Sequence, residues 1–425
     1  METLACGHVA HPGKSRACPH LLRPYESGDP DYYRLLTGVG LEADLICPGC
    51  DAARSKGEEV TLAVICEGCA AMYDDDEAGS FAGWRGEPGI AERPEAVDTA
   101  IVTTSLPRRV GAVQDIAAIP GGWLILDRAG RLFRFDPETG AHERVARTGL
   151  RPEKRKPHLR QTRMRLHTSA DGRFAAVVND YGRHGEVLDL ATGAVTMELD
   201  GGEHHTEHQP FPVAFTGGTV VHRRAWNRLD ASDAATGRLL TAREFDDDRR
   251  PGYAHGALHP SPGGHWLAED GWVFAPAGVP EVFDLRAWLA ENPWESDDGR
   301  SRRRFCQRTH YWDVPMCWIG DNLFAISGLG AWDDEMIDGV RIFDAASGAE
   351  VHAFAGPRGA LFSASRRLYA AAPEGLEIWD PFSGERPGRI PGFRPAHHHR
   401  AAGELAEIRD GELLRWRIHE RLLEQ

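Results

Sequence analysis

The chain has 425 residues, with 49 Lys and Arg against 64 Asp and Glu, and a formal net charge of −15. An acidic balance of that size argues against a general binder of nucleic acid or of anionic membranes. At 41% hydrophobic residues the composition is that of a folded protein, and wholesale disorder is excluded.

No run of about 18 apolar residues occurs, so no transmembrane helix is expected. Met1 to His8 contain neither a basic segment nor an apolar one. A secretory signal is therefore not expected, and the cytoplasm is the expected compartment.

Six of the eight cysteines fall at positions 6, 18, 47, 50, 66 and 69, and only Cys306 and Cys317 come later. In a reducing compartment such a cluster reads as metal ligands rather than disulfides. Ala5-Cys6-Gly7-His8 and Ala17-Cys18-Pro19-His20 form a small internal duplication. Gly13-Lys14-Ser15 lacks the upstream glycine and strand of a phosphate loop. Cys47-Pro-Gly-Cys50 and Cys66-Glu-Gly-Cys69 are separated by 15 residues. Two residues between cysteines let one tight turn aim both thiolates at a single ion, and a hairpin can bring a second pair to complete a tetrahedron.

That pattern resembles a zinc ribbon, with Cys47, Cys50, Cys66 and Cys69 on one zinc. Cys6, His8, Cys18 and His20 could hold a second zinc. Alternatively the four pairs interleave around two ions, as in cross-brace fingers. His11 is a spare donor. Ions with four protein ligands are expected to be structural, because no coordination position stays open for water or substrate. Residues 1–73 are read as this Cys/His domain and the acidic Gly- and Pro-containing stretch 74–96 as a linker. Residues 1–96 hold 8 basic and 17 acidic residues, a net −9, so this front section supplies most of the acidity.

From residue 97 a repeat emerges. Its strongest mark is Asp-x-x-Thr/Ser-Gly after a short alternating strand. It occurs as Asp136-Pro-Glu-Thr-Gly140, Asp189-Leu-Ala-Thr-Gly193, Asp233-Ala-Ala-Thr-Gly237, Asp344-Ala-Ala-Ser-Gly348 and Asp380-Pro-Phe-Ser-Gly384. Asp opens such a turn through its side chain, and Gly supplies the positive φ that closes it. Upstream lies a second Gly-containing turn and strand, as in Ser169-Ala-Asp-Gly-Arg-Phe-Ala-Ala-Val-Val178. Val282-Phe-Asp284 and Leu413-Leu-Arg-Trp416 are degenerate copies, giving seven anchors at about 47 residues each over 97–425.

Those strings resemble the WD40-like β-propeller family over about three-quarters of the chain. The resemblance implies an all-β fold, a seven-bladed β-propeller of four-stranded blades over 97–425. Thr99–Thr104 is expected to pair into the last blade and close the ring.

Other motifs have plainer readings. Arg144 to Arg165 contain nine basic residues and one acid. Arg151, Lys154, Arg155, Lys156, Arg160, Arg163 and Arg165 are candidate contacts for an acidic partner or for the acidic front section. His204-His205-Thr206-Glu207-His208 matches an inverted zinc-protease string, but the flanking Gly and Pro residues favour a loop. His397-His398-His399 reads as a solvated loop. Leu285–Glu291 reads as a short helix in an insertion, and Cys306 and Cys317 as buried small hydrophobes.

The sequence therefore points to a non-enzymatic scaffold or adaptor in a bacterial multi-protein system, with protein partners. The first alternative is an enzyme with a metal site in the central tunnel, whose ligands would come one per blade and leave no local motif. The second is nucleic-acid binding through the zinc domain and the 144–165 patch. The arginines there lack interleaved aromatics, which makes nucleic acid the weaker partner.

Overall fold

The computed structural model describes residues 2–10, 15–22, 31–36, 43–66, 69, 81–86, 89–154, 158, 160–204, 206–244, 252–274, 276–330, 332–333 and 336–418. Among them, no helix is long and apolar enough to cross a membrane.

Seven antiparallel sheets follow one another between residues 102 and 417. They are the blades of an all-β propeller. Blade 1 spans 113–147, blade 2 163–200, blade 3 213–233, blade 4 253–309, blade 5 316–355 and blade 6 360–391. Blade 7 comprises His397–His399, Glu404–Arg409 and Glu412–Arg417, completed by a strand from far upstream, Val102–Ser105. That strand pairs antiparallel with the last one, Thr104 opposite Leu413. The expected closure of the ring is thus present.

The first strands of blades 1 and 2, 2 and 3, 3 and 4, and 5 and 6 lie side by side, and that of blade 7 lies against that of blade 1. Apolar side chains fill the wedges between blades. Leu124, Leu132, Met164, Leu166 and Val177 join blades 1 and 2. Ile116, Trp123, Phe135, Ala406 and Leu413 join blades 7 and 1.

Each of the seven anchors read from the sequence falls in its own blade. The turn chemistry is also as expected. Asp136 accepts from the Glu138 amide at 2.9 Å and the Thr139 hydroxyl at 2.6 Å. Asp233 and Asp344 do the same with Thr236 and Ser347. These hydroxyl hydrogen bonds, first among the causes, hold the three carboxyls below their usual range. The closing glycines, Gly140, Gly193, Gly237, Gly348 and Gly384, have φ between 70° and 76°.

Two features differ from the sequence reading, and a third agrees with it. The tract read as a linker contains a strand, Phe81–Arg85, paired in parallel with Tyr32–Leu36. His397-His398-His399 is no solvated loop but the first strand of blade 7. His399 is buried, its Nε2 3.0 Å from the Ile119 carbonyl and its ring edge-on to Trp123. Thr206–His208 lie in a turn, as the flanking Gly and Pro predict; His205 lies outside the described residues.

The insertion of blade 4 contains α2, Leu285–Ala290, and α3, Glu295–Asp298. Asp284 caps α2, accepting from the amides of Arg286 and Ala287 at 2.8 and 2.9 Å. Among the described residues, blade 3 has three strands, with an isolated bridge, Ser232 to Leu239, beyond them. The insertion reinforces this thin blade. Arg243, buried just after blade 3, pairs with Asp230 of that blade at 2.7 Å and with Asp297 of α3 at 2.8 Å.

Removing the shared cation leaves two buried carboxylates competing for less compensation. Arg243→Met is expected to lower the unfolding free energy by about 3–5 kcal/mol. Urea titration of the purified chain measures it, and an unchanged midpoint would refute the bracing role.

Candidate metal centres

The N-terminal residues build two four-donor clusters around one small sheet. Five strands make the sheet: β3 (Arg16–Ala17), β4 (Tyr32–Leu36), β5 (Ala43–Ile46), β6 (Ala63–Val64) and β7 (Phe81–Arg85), in the order β6-β3-β5-β4-β7. The hairpin of β1 (Glu2–Thr3) and β2 (Val9–Ala10) precedes it. Its core is small, with Ala17, Leu21, Tyr32, Leu35, Leu45, Ile46 and Ile65 buried among the cysteines.

One cluster comprises Cys18, His20, Cys47 and Cys50. Cys47 follows β5 and is the N-cap of α1 (Pro48–Ser55), where its sulfur accepts from the Cys50 amide. Cys18 follows β3, which runs parallel to β5, and its amide donates to the Leu45 carbonyl at 2.9 Å. The Cys47 amide in turn reaches the Cys18 sulfur at 3.3 Å. His20 Nδ1 lies 3.2 Å from the Cys50 sulfur and 3.7 Å from that of Cys47.

The other comprises Cys6, His8, Cys66 and Cys69. Cys6 and His8 sit on the β1–β2 turn, where Gly7 adopts φ +80°. Cys66 follows β6. His8 Nδ1 lies 3.6 Å from the Cys66 sulfur and 3.2 Å from that of Cys69.

In both clusters all four donor atoms lie within 4.8 Å of one another. Zinc–sulfur bonds of about 2.3 Å and zinc–nitrogen bonds of about 2.0 Å imply tetrahedral S···N edges of about 3.5 Å. The observed 3.2–3.7 Å bracket that edge. The donor sets fit a tetrahedral, thiolate-preferring ion. All eight cysteines are free of disulfides.

The pairing corrects the sequence reading. Cys47, Cys50, Cys66 and Cys69 do not share one cluster, and Cys6, His8, Cys18 and His20 do not share another. Nor is the order that of a cross-brace. The outermost pairs in sequence meet each other, and the inner two meet each other, so the sites are nested. The reason lies in the sheet. β3 inserts between β5 and β6, so the strands leading into the two Cys-x-x-Cys turns are not neighbours. His11 lies outside the described residues.

Within each cluster the thiols titrate unevenly. A hydrogen bond from the Cys66 backbone leads the causes that lower Cys6 to about 6, whereas burial pushes Cys50 and Cys69 up to about 12.

The basic stripe is not a single surface. Arg165 lies 3.4 Å from Asp115 of blade 1 and 3.7 Å from Asp180, and Arg163 lies 3.5 Å from Asp180. Asp115 also accepts the Leu166 amide at 2.9 Å and faces His397 of blade 7 at 3.6 Å. Arg160 pairs with Asp313, 153 residues away, which also accepts the Tyr181 hydroxyl at 2.6 Å. Three of the seven candidate contacts are therefore engaged by carboxylates of the ring itself. Arg151 and Lys154 are exposed, and Arg155 and Lys156 lie outside the described residues.

Sequence reasoning passed over Asp270, a buried carboxyl in the second strand of blade 4. Burial pushes it up to about 7 despite Arg308 nearby, and its Oδ2 accepts the Val314 amide at 3.0 Å. Its string, Leu267-Ala-Glu-Asp-Gly271, carries no motif. Cys317 is buried and its thiol is pushed up to about 12, as a small hydrophobe requires. Among the described residues, the groups of three or more His, Cys, Asp or Glu drawn together closely enough to hold a metal are the two Cys/His clusters.

No family model and no curated protein matches the chain. Solved structures are similar at low identity. A chain of the Mitotic Checkpoint Complex is 15% identical, covering 79% of this chain and 98% of that chain, with a TM-score of 0.49. The Cps50 (Swd1) beta-propeller domain of Myceliophteria thermophila is 13% identical, covering 75% and 100%, with a TM-score of 0.48. BamB from Moraxella catarrhalis is 15% identical, covering 72% and 85%, with a TM-score of 0.46.

Two measurements test the geometry. Nested clusters predict that Cys47→Ser and Cys66→Ser each remove a different ion, and that the double variant removes both. Elemental analysis reads this directly; loss of one and the same ion by either change would restore the ribbon pairing. For Asp270, the folded pKa of about 7 exceeds the unfolded value, so the folded state binds the extra proton. Its contribution to stability is lost as pH rises from about 4 to about 7. Asp270→Asn should flatten that slope in unfolding midpoints measured across pH.

Proposed function

We propose that the chain is a non-enzymatic protein-docking scaffold. In this reading a seven-bladed ring offers loop-built faces, and a small front unit, held by two structural zinc ions, adds a second docking surface. The observation that carries it is where the charged groups of the ring point. Asp115, Arg163, Arg165 and Asp180 tie blades 1 and 2 to each other, and the Asp180 carboxylate also accepts the Phe211 amide leading into blade 3 at 3.1 Å. Ion pairs turned inward fix the blades and leave the turns to meet a partner.

The clusters support structural rather than catalytic metal. Four protein donors fill a tetrahedron, and a catalytic zinc keeps one position open. Two Cys and one His next to a further Cys also suit zinc over harder cations. With so small an apolar core, zinc would contribute on the order of 10 kcal/mol of apparent folding free energy to the front unit. Free thiols fit a reducing, cytoplasmic setting.

The front unit and the ring are proposed to be separate domains joined by residues around 86–101. Ala91 and Arg93 exchange backbone hydrogen bonds with Arg386 of blade 6 at 2.7 and 3.2 Å. Arg367 of that blade pairs with Glu95 at 3.0 Å.

The purified chain is expected to carry two zinc ions, and affinity purification at native levels to recover a stoichiometric protein partner. Repeated absence of a partner would count against the scaffold reading, and a DNA or RNA shift that weakens steeply with salt would favour the nucleic-acid alternative.

A further inference from the structure

Four successive blades bring the turn between their first and second strands to one face of the ring. These turns enclose a pocket of about 510 Å³ that neither the clusters nor the inward ion pairs use. Pro262 of blade 4 and Ile319 of blade 5 give it apolar walls, and Asp321, Arg366 and Arg400 give it charge. Phe382, half exposed, forms the rim, with the Arg366 guanidinium 5.1 Å over its ring.

The two arginines stand apart from those of the stripe. Arg160, Arg163 and Arg165 all meet carboxylates. Among the described residues, neither Arg366 nor Arg400 has an ion pair or a side-chain hydrogen bond. Arg400 is exposed, though the protein crowded about it lowers its pKa, and Cys317 and Asp321 of blade 5 lie within electrostatic reach. An unpaired guanidinium against apolar walls is set to receive an oxyanion, and its planar fork suits a carboxylate.

Asp321 narrows the ligand further. Its Oδ1 accepts the Gly263 amide, and Oδ2 remains to receive a donor from the ligand. A bare inorganic anion would leave that oxygen repelling it. A polypeptide bearing an acidic side chain supplies both parts, a carboxylate for the arginines and a backbone amide for Asp321.

We propose that this pocket binds an aspartate or glutamate side chain presented by a segment of a partner protein. The source of the ligand rests on the scaffold reading; the preference for an anion rests on the pocket alone. The net charge of −15 makes the site discriminating, since the field of the whole chain opposes an acidic peptide and only a local cationic site retains one.

The test is fluorescence polarisation of the full chain with a capped, labelled hexaglutamate peptide. Capped hexalysine and inorganic phosphate serve as comparators. Hexaglutamate should bind, more weakly as salt rises. Arg400→Gln and Arg366→Gln should each weaken it roughly tenfold, the size of one charge-assisted hydrogen bond. Arg366 and Arg400 are both exposed and sit in turns of different blades, so each variant reads the site independently of the other's fold. Arg128→Gln, in the exposed turn between the second and third strands of blade 1, should leave binding unchanged.

Equal binding of hexalysine, or unaltered affinity in both variants, overturns the proposal. Phosphate binding without hexaglutamate binding overturns the peptide source. A protein partner recovered from cells while the probe fails rejects the pocket and keeps the scaffold; probe binding with no partner rejects the scaffold and keeps the pocket.

Discussion

The propeller depends on one antiparallel pairing. Val102–Ser105, at the front of the repeat, is the fourth strand of the blade that ends at Arg417. Each blade buries its two faces against its neighbours, so a ring with one seam left open would expose two apolar faces and the backbone groups of a free edge. Joining the two ends in one sheet removes both costs together. It also explains the tethers around the seam: Trp416 donates to the Asp98 carbonyl at 2.7 Å, and His399 reaches Ile119 of blade 1.

The parts of this fold that rest on local chemistry were legible in the sequence. The Asp-x-x-Thr/Ser-Gly turn is complete within five residues, so its hydrogen bonds and its positive φ could be read from spacing. The closing strand was legible because Thr99–Thr104 precedes the first full unit of the repeat. What escaped depended on residues far apart. Three histidines in a row look solvated until Ile119 and Trp123 from another blade bury one of them. The basic stripe looked like a surface because its counterions, Asp115, Asp180 and Asp313, lie in other strands and loops.

The donor residues of the front unit show the same division. Residue types and spacings singled out all eight Cys and His residues that the structure gathers into the two clusters, because a Cys-x-x-Cys or Cys-x-His turn is a local device. Which pairs come together is a question of strand order. β3 between β5 and β6 answers it, and two residues of strand are too short to announce that position by any pattern of alternation. The insertion of blade 4 is similar. Its short helix could be read from Leu285-Arg-Ala-Trp288, but not the Asp297 that braces blade 3 through Arg243.

Nesting places the two clusters in different relations to the order in which the chain is made. The inner one draws its donors from residues 18–50 and can assemble once that stretch has emerged. The outer one must hold Cys6 and His8 open until Cys66 and Cys69 arrive, closing a loop around a neighbour already formed. The inner cluster, where β3 meets β5, would act as the template on which the outer one closes. The front unit would then gain its structure from the inside outward during synthesis, before the ring, whose seam cannot close until residue 412 and beyond are present.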